Sequence, residues 1–234
     1  MARKELNFGL LLKQAQIAGQ RGDLDEAERC CAAVLKARRG QFEALHLMGT
    51  IAGRRGRFAE AERLLSEAIK ANARSAAAHS DRGIALMRLG RAGEALASYD
   101  RAIALGHAEA RYNRGNALLA LGRFADAVDA YDQALAAGPN VAALVNRCNA
   151  LRELKRFEEA LGSYDRALAI RPDHVNALNN RGNVLHDLKR PADALASYDK
   201  ALSYKIDDAK ALANRGNVLK ELQRLEEAMA SYDR

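Results

Sequence analysis

The sequence predicts an all-α fold, a right-handed superhelical α-solenoid of stacked helix-turn-helix repeats. Three observations point there. The first is composition: of 234 residues, 49 are alanine, 3 are proline and none is tryptophan. Alanine, leucine, arginine and glutamate lose little on entering a helix. The second is periodicity. Related segments place a small residue at Ala15, Gly49, Gly83, Gly115, Cys148, Gly182 and Gly216, in steps of 34, 34, 32, 33, 34 and 34. The third is an alanine twelve residues further on in all seven copies: Ala27, Ala61, Ala95, Ala127, Ala160, Ala194 and Ala228. A lone pair of short helices cannot bury its apolar face, so units recurring at this interval have to stack.

The repeats fall at 8–41, 42–75, 76–107, 108–140, 141–174, 175–208 and 209–234, the last incomplete, within one solenoid spanning 1–234. The fourth shows the internal plan. Residues 108–121 set Tyr112, Gly115, Leu118 and Leu119 on one helical face. Gly122 then breaks the helix, and a second begins near Ala125 with Val128, Tyr131, Ala134 and Leu135 facing inward. Gly22, Gly56, Gly90 and Gly122 supply the left-handed cap that ends a first helix. Lys155, Lys189 and Gln223 take that place in the last three repeats, at about 1 kcal/mol each relative to glycine. Pro191 sits in the first turn of its second helix, where a missing N–H is harmless.

Counted from the start of each repeat, the small eighth residue, the alanine at twenty, the aromatic at twenty-four (Tyr99, Tyr131, Tyr164, Tyr198, Tyr232) and the small residue at twenty-seven resemble the tetratricopeptide repeat (TPR) family. The resemblance covers nearly the whole chain. The family's tryptophan at position four is absent, and its leucine at seven is replaced by Arg82, Arg114, Arg147, Arg181 and Arg215. Its proline at thirty-two survives only as Pro139 and Pro172. The five repeats with this arginine also carry Tyr-Asp at twenty-four and twenty-five. The expected role is structural: arginine stacking on tyrosine and pairing with aspartate, within a repeat or across a junction, with Arg181 and Asp199 as the pair to test.

Chemistry is sparse. The five histidines are scattered and form no metal spacing, and Gly53-Arg54-Arg55-Gly56 lacks the lysine and strand of a phosphate loop. Glu158 and Glu159 open a helix, where they complement its dipole. No catalysis, cofactor or metal is expected within these residues. Cys30, Cys31 and Cys148 are an odd count without a C-x-x-C pair and read as reduced core thiols. The net charge of +7 is concentrated before residue 76, where 14 Lys/Arg meet 9 Asp/Glu. Its clusters, Arg38-Arg39 and Arg54-Arg55-Arg57, fall on opposite edges of a solenoid without interleaved aromatics, so nucleic acid is not an expected partner. Met1-Ala2-Arg3-Lys4 resembles the start of a signal peptide, but the apolar run after it stops at Lys13. No run reaches membrane-spanning length, and a cytoplasmic protein is expected.

The resemblance implies that the first helix of each repeat lines a concave groove. Both the sixth and ninth positions are asparagine in four consecutive repeats: Asn113/Asn116, Asn146/Asn149, Asn180/Asn183 and Asn214/Asn217. An amide offers donor and acceptor together, so such a line can hold an extended peptide without reading its sequence; the same residues also serve as plain consensus filling. The ladder is similar to that in the arm of O-linked N-acetylglucosamine transferases, especially their bacterial relatives. A carboxylate clamp of the chaperone-binding kind is disfavoured, since the fifth position holds no lysine and only Lys210 with Asn214 and Asn217 suggests one. Repeats two and three present Leu47, Asp81, Ile84 and Met87 instead, a place for an apolar anchor.

The expected function is therefore a protein–protein interaction scaffold that binds a peptide or protein segment in its groove. The alternative is the substrate-recruiting arm of a larger enzyme, such as an O-linked N-acetylglucosamine transferase-like glycosyltransferase with its catalytic region after Arg234. The last repeat stops inside its second helix, so a longer parent polypeptide is expected, as is fraying or end-to-end self-association through the exposed face.

Overall fold

A computed structural model describes residues 7–234; the Met1-Ala2-Arg3-Lys4 opening lies outside the described residues. The described residues form fourteen helices and no strand. The chain divides into two compact units, 1–121 and 122–234. The first holds α1 (Phe8–Arg21), α2 (Leu24–Ala37), α3 (Phe42–Arg54), α4 (Phe58–Ala71), α5 (Ala76–Arg88), α6 (Ala92–Ala104) and α7 (Ala110–Ala120). The second holds α8 (Phe124–Leu135), α9 (Val141–Glu153), α10 (Phe157–Ile170), α11 (Val175–Asp187), α12 (Pro191–Tyr204), α13 (Ala209–Glu221) and α14 (Leu225–Tyr232).

Within each unit, every helix packs on its sequence neighbours, and odd-numbered helices also meet each other: α1 with α3, α3 with α5, α5 with α7, and α11 with α13. No two even-numbered helices among the described residues pack comparably. The odd-numbered helices therefore form the inner face of each stack.

The turn between the two helices of a repeat is built the same way throughout. Gly22, Gly56, Gly90 and Gly122 all have φ between 70° and 84°. Lys155, Lys189 and Gln223 adopt the same left-handed backbone at φ 57°, 60° and 60°, despite the steric cost of a Cβ there. What holds them is the hydrogen bond that closes the turn. The amides of Arg156, Arg190 and Arg224 each donate at 2.9 Å to the carbonyls of Leu151, Leu185 and Leu219. Pro191 is the first residue of α12, as expected.

The recurrent small residues explain the close approach of paired helices. The seven recurrent alanines are at most 3% exposed. A Cβ added to Gly83 or Gly216 would lie 2.5 Å from Cε1 of Tyr99 or Tyr232, and one on Gly49 would lie 2.7 Å from Cγ of Leu65. The eighth residue is thus the slot into which the twenty-fourth packs. The first repeat solves the problem with Ala15 and Cys31, both buried in one cluster with Ala18, Ala27, Cys30 and Ile51. Burial pushes the Cys31 and Cys148 thiols up to about 12. Cys148 donates to the carbonyls of Leu144 and Ala160 at 3.0 and 3.3 Å.

The arginine-for-leucine exchange stitches neighbouring repeats. Arg114, Arg147, Arg181 and Arg215 donate through Nε to Asp100, Asp132, Asp165 and Asp199 at 2.6–2.7 Å. Each aspartate belongs to the preceding repeat. Arg147, Arg181 and Arg215 also donate to Ser163, Ser197 and Ser231 on the second helix of their own repeat, at 2.6–2.8 Å. Arg82, whose predecessor repeat has Ser66 where the others have aspartate, uses Ser66 at 2.8 Å and Glu62 at 3.0 Å. This corrects the Arg181–Asp199 pairing: Arg181 meets Asp165, and Asp199 meets Arg215. The tyrosine rings of Tyr99 and Tyr198 pack against Gly83 and Gly182.

Candidate functional site

The eight asparagines all lie on odd-numbered helices, on the inner face of their units. Asn113 and Asn116 are on α7 in the first unit; the other six are on α9, α11 and α13 in the second. All are half-buried except Asn217, which is exposed.

Their two positions do different work. At the ninth position, Asn149, Asn183 and Asn217 accept hydrogen bonds through Oδ1 from the hydroxyls of Tyr164, Tyr198 and Tyr232, at 3.2, 2.8 and 2.8 Å. A carboxamide whose oxygen faces its own hairpin turns its NH2 away from it. Among the described residues no protein acceptor meets the Nδ2 of these three, so each of these three repeats offers a pair of donors on the inner face. At the sixth position an amide joins neighbouring repeats: Asn214 donates from Nδ2 to Oδ1 of the buried Asn179 at 2.9 Å. His46 and Asp81 occupy the corresponding places in the first unit, with Nε2 and Oδ2 2.8 Å apart. The asparagine ladder is therefore part joint and part open row.

The rim charges of the second unit are paired along the same face. Arg152 Nε lies 3.6 Å from Asp187, and His186 Nε2 lies 2.5 Å from Glu221. The His186 hydrogen bond holds the Glu221 carboxyl below its ordinary value.

The first unit's inner face instead carries a cleft of about 520 Å³ between α3 and α5, floored by Ala61 and Leu65 of α4. Asp81 and Ile84, two of the four residues proposed to replace the ladder, line it. Leu47 does not: it packs against the buried cluster around Ala15 and Cys31. Gly53 and Arg54 of α3 and Arg88 of α5 also line the cleft, and sequence reasoning did not place them at a binding face. Within the basic cluster Arg54-Arg55-Arg57, Arg55 pairs with Asp25 and Glu28, and Arg57 with Glu28 and Glu60. Among the described residues no helix is long and apolar enough to cross a membrane.

Family models described as tetratricopeptide repeat match residues 9–33, 46–106, 81–142, 112–174, 145–209 and 209–234. The chain belongs to the tetratricopeptide repeat family. Solved TPR structures share its fold. A TPR protein from Parabacteroides merdae ATCC 43184 is 20% identical with a TM-score of 0.73, the alignment covering 97% of this chain and 91% of that one. The C-terminal part of a TPR repeat-containing protein from Cytophaga hutchinsonii is 13% identical with a TM-score of 0.78, covering 95% and 91%. YrrB, a TPR protein with an unusual peptide-binding site, is 18% identical with a TM-score of 0.68, covering 78% and 95%. No curated protein sequence matches the chain.

Proposed function

We propose that this TPR chain is a protein–protein interaction scaffold whose inner face holds an extended peptide segment. One observation carries the reading: the tyrosine hydroxyls fix the amides of Asn149, Asn183 and Asn217 with their oxygens engaged and their NH2 groups unspent. A row of pre-oriented donors, one per repeat, suits the carbonyls of an extended backbone and loses little rotamer freedom on binding. The peptide-binding site of YrrB, on a related fold, is consistent with that use.

The test separates donor from acceptor. Asn149→Asp, Asn183→Asp and Asn217→Asp together keep an oxygen for each tyrosine hydroxyl and remove the NH2 donors. Peptides selected from a random library of about 12 residues on the wild-type chain are expected to bind this triple variant about tenfold more weakly at an unchanged melting temperature. Equal affinity would remove the ladder from the binding site.

A second reading makes the same face the substrate-recruiting arm of a larger enzyme, an O-linked N-acetylglucosamine transferase-like glycosyltransferase with its chemistry after Arg234. It rests on the resemblance of the four-repeat amide ladder and of the repeats' NRGN and SYDRAL segments, and the mass of the native polypeptide in its source cells tests it. Self-association is proposed through α14, where Leu225, Met229 and Tyr232 are 54%, 64% and 48% exposed; light scattering that stays monomeric at high concentration would refute it.

A further inference from the structure

The cleft between α3 and α5 has room that packing does not require. Gly49 and Gly53 lie one turn apart on the same face of α3, yet their reasons differ. A side chain on Gly49 would strike Leu65, whereas a Cβ on Gly53 would meet nothing nearer than Cβ of Ala61, at 3.9 Å. Glycine within a helix costs about 0.5–1 kcal/mol relative to alanine, and at Gly53 no close contact offsets it. The opposite wall is Ile84, 43% exposed. An open volume of about 520 Å³ lies in the range of ligand-binding clefts.

The charges around the cleft have a sign. Several arginines near the cleft are engaged by carboxylates: Arg55, Arg57, Arg82 and Arg91 all form ion pairs. Arg54 and Arg88, which flank the cleft, have no carboxylate partner among the described residues. Arg54 spends one N–H on the carbonyl of Gly19 at 2.7 Å, and Arg88 lies over the Phe58 ring at 5.9 Å. The cleft's one carboxylate, Asp81, is already held by His46 at 2.8 Å. Two guanidiniums without counter-charges beside an apolar notch complement an anionic partner, because guanidinium binds carboxylate through parallel N–H donors.

We infer that this cleft receives a bulky apolar side chain of an acidic peptide, whose flanking carboxylates pair with Arg54 and Arg88. The inference rests on the reading that the odd-numbered helices form the binding face, but it uses none of the asparagines, so the two fail separately.

The probe is an array of peptides about 12 residues long, each with one central leucine, isoleucine or phenylalanine in glycine and serine, flanked by either aspartates or lysines. Binding of the aspartate-flanked set is expected, weakening with added salt and falling about tenfold when aspartate is exchanged for asparagine or the central residue for glycine. R54Q/R88Q is expected to lose about tenfold, and G53L, which fills the notch, as much again. G53A adds one methyl where there is space and checks that any loss with G53L is not misfolding. Wild-type affinity in R54Q/R88Q, equal capture of the lysine-flanked set, or no capture of any aspartate-flanked peptide would overturn the inference. The Asn149/Asn183/Asn217 variant should bind the aspartate-flanked set as wild type does; if it alone loses binding, the ladder reading stands and the cleft assignment falls.

Discussion

Replacing Gly83 by alanine measures how closely paired helices must approach. The new Cβ would lie 2.5 Å from Cε1 of Tyr99 and 2.8 Å from its Cδ1 and Cζ. The ring is 2% exposed and has no free direction in which to yield. Overpacking of this kind costs about 1–3 kcal/mol. The better helix propensity of alanine returns about 0.5–1 kcal/mol, leaving a net loss of up to about 2.5 kcal/mol. The fifth repeat, where Cys148 stands against a fully buried Tyr164, shows that a hairpin can relax to accept a side chain there, so the cost stays in this range. The first repeat suggests the control: its pair is Ala15 and Cys31. Tyr99→Cys alone leaves a cavity and costs about 3 kcal/mol, but in that background Gly83→Ala meets no ring and gains about 0.5–1 kcal/mol. The assay is urea unfolding by circular dichroism, with hydrogen exchange of α5 and α6 to localise the effect, because repeat arrays open locally. Equal destabilisation by Gly83→Ala in both backgrounds would refute the steric argument.

Lys155→Gly, which removes a Cβ from a left-handed turn at φ 57°, is expected to stabilise the chain by about 1 kcal/mol in the same unfolding assay. Alanine substitutions at Arg181 and Asp165, joined at 2.7 Å, should couple by about 0.5–1 kcal/mol, whereas an Arg181 and Asp199 cycle should show no coupling. The buried thiols, pushed up to about 12 at Cys31 and Cys148, should resist Ellman's reagent at mildly alkaline pH until the chain is unfolded. Arg91, Arg156 and Arg224 hydrogen-bond Glu94, Glu159 and Glu227 and hold these carboxyls below their ordinary value. A depressed folded-state pKa contributes stability above the unfolded carboxylate's pKa, and that contribution disappears as pH falls through the folded value. Melting temperature should therefore be flat near neutrality and decline on the acid side, with a smaller decline in the three Glu→Gln variants.

Most of the fold was legible because its constraints are local or strictly periodic. The recurrent alanines, the left-handed turn at Gly122 and its lysine stand-ins, and the first-turn Pro191 each follow from one residue's steric needs repeated at a fixed interval. The arginine–aspartate link was legible as chemistry but not as connectivity. The aspartate faces the next hairpin, a direction that spacing within one repeat does not reveal. The ladder was half legible. Asparagine offers donor and acceptor alike, and only the tyrosine hydroxyl brought over by the second helix decides which end remains free. The cleft was the least legible part. Gly49 belongs to the recurrent small position and Gly53 does not, and only the placement of Leu65 and Ala61 shows that a side chain at Gly53 would meet open space.

The most direct test of the binding face is a nitrogen-15 NMR titration of the whole chain with a library-selected peptide, following backbone amides and asparagine side-chain NH2 signals together. The account predicts that shifts concentrate on the odd-numbered helices, with the Nδ2 signals of Asn149, Asn183 and Asn217 among the largest and α10 and α12 nearly silent. Shifts concentrated on the even-numbered helices, with those three side chains unmoved, would contradict it.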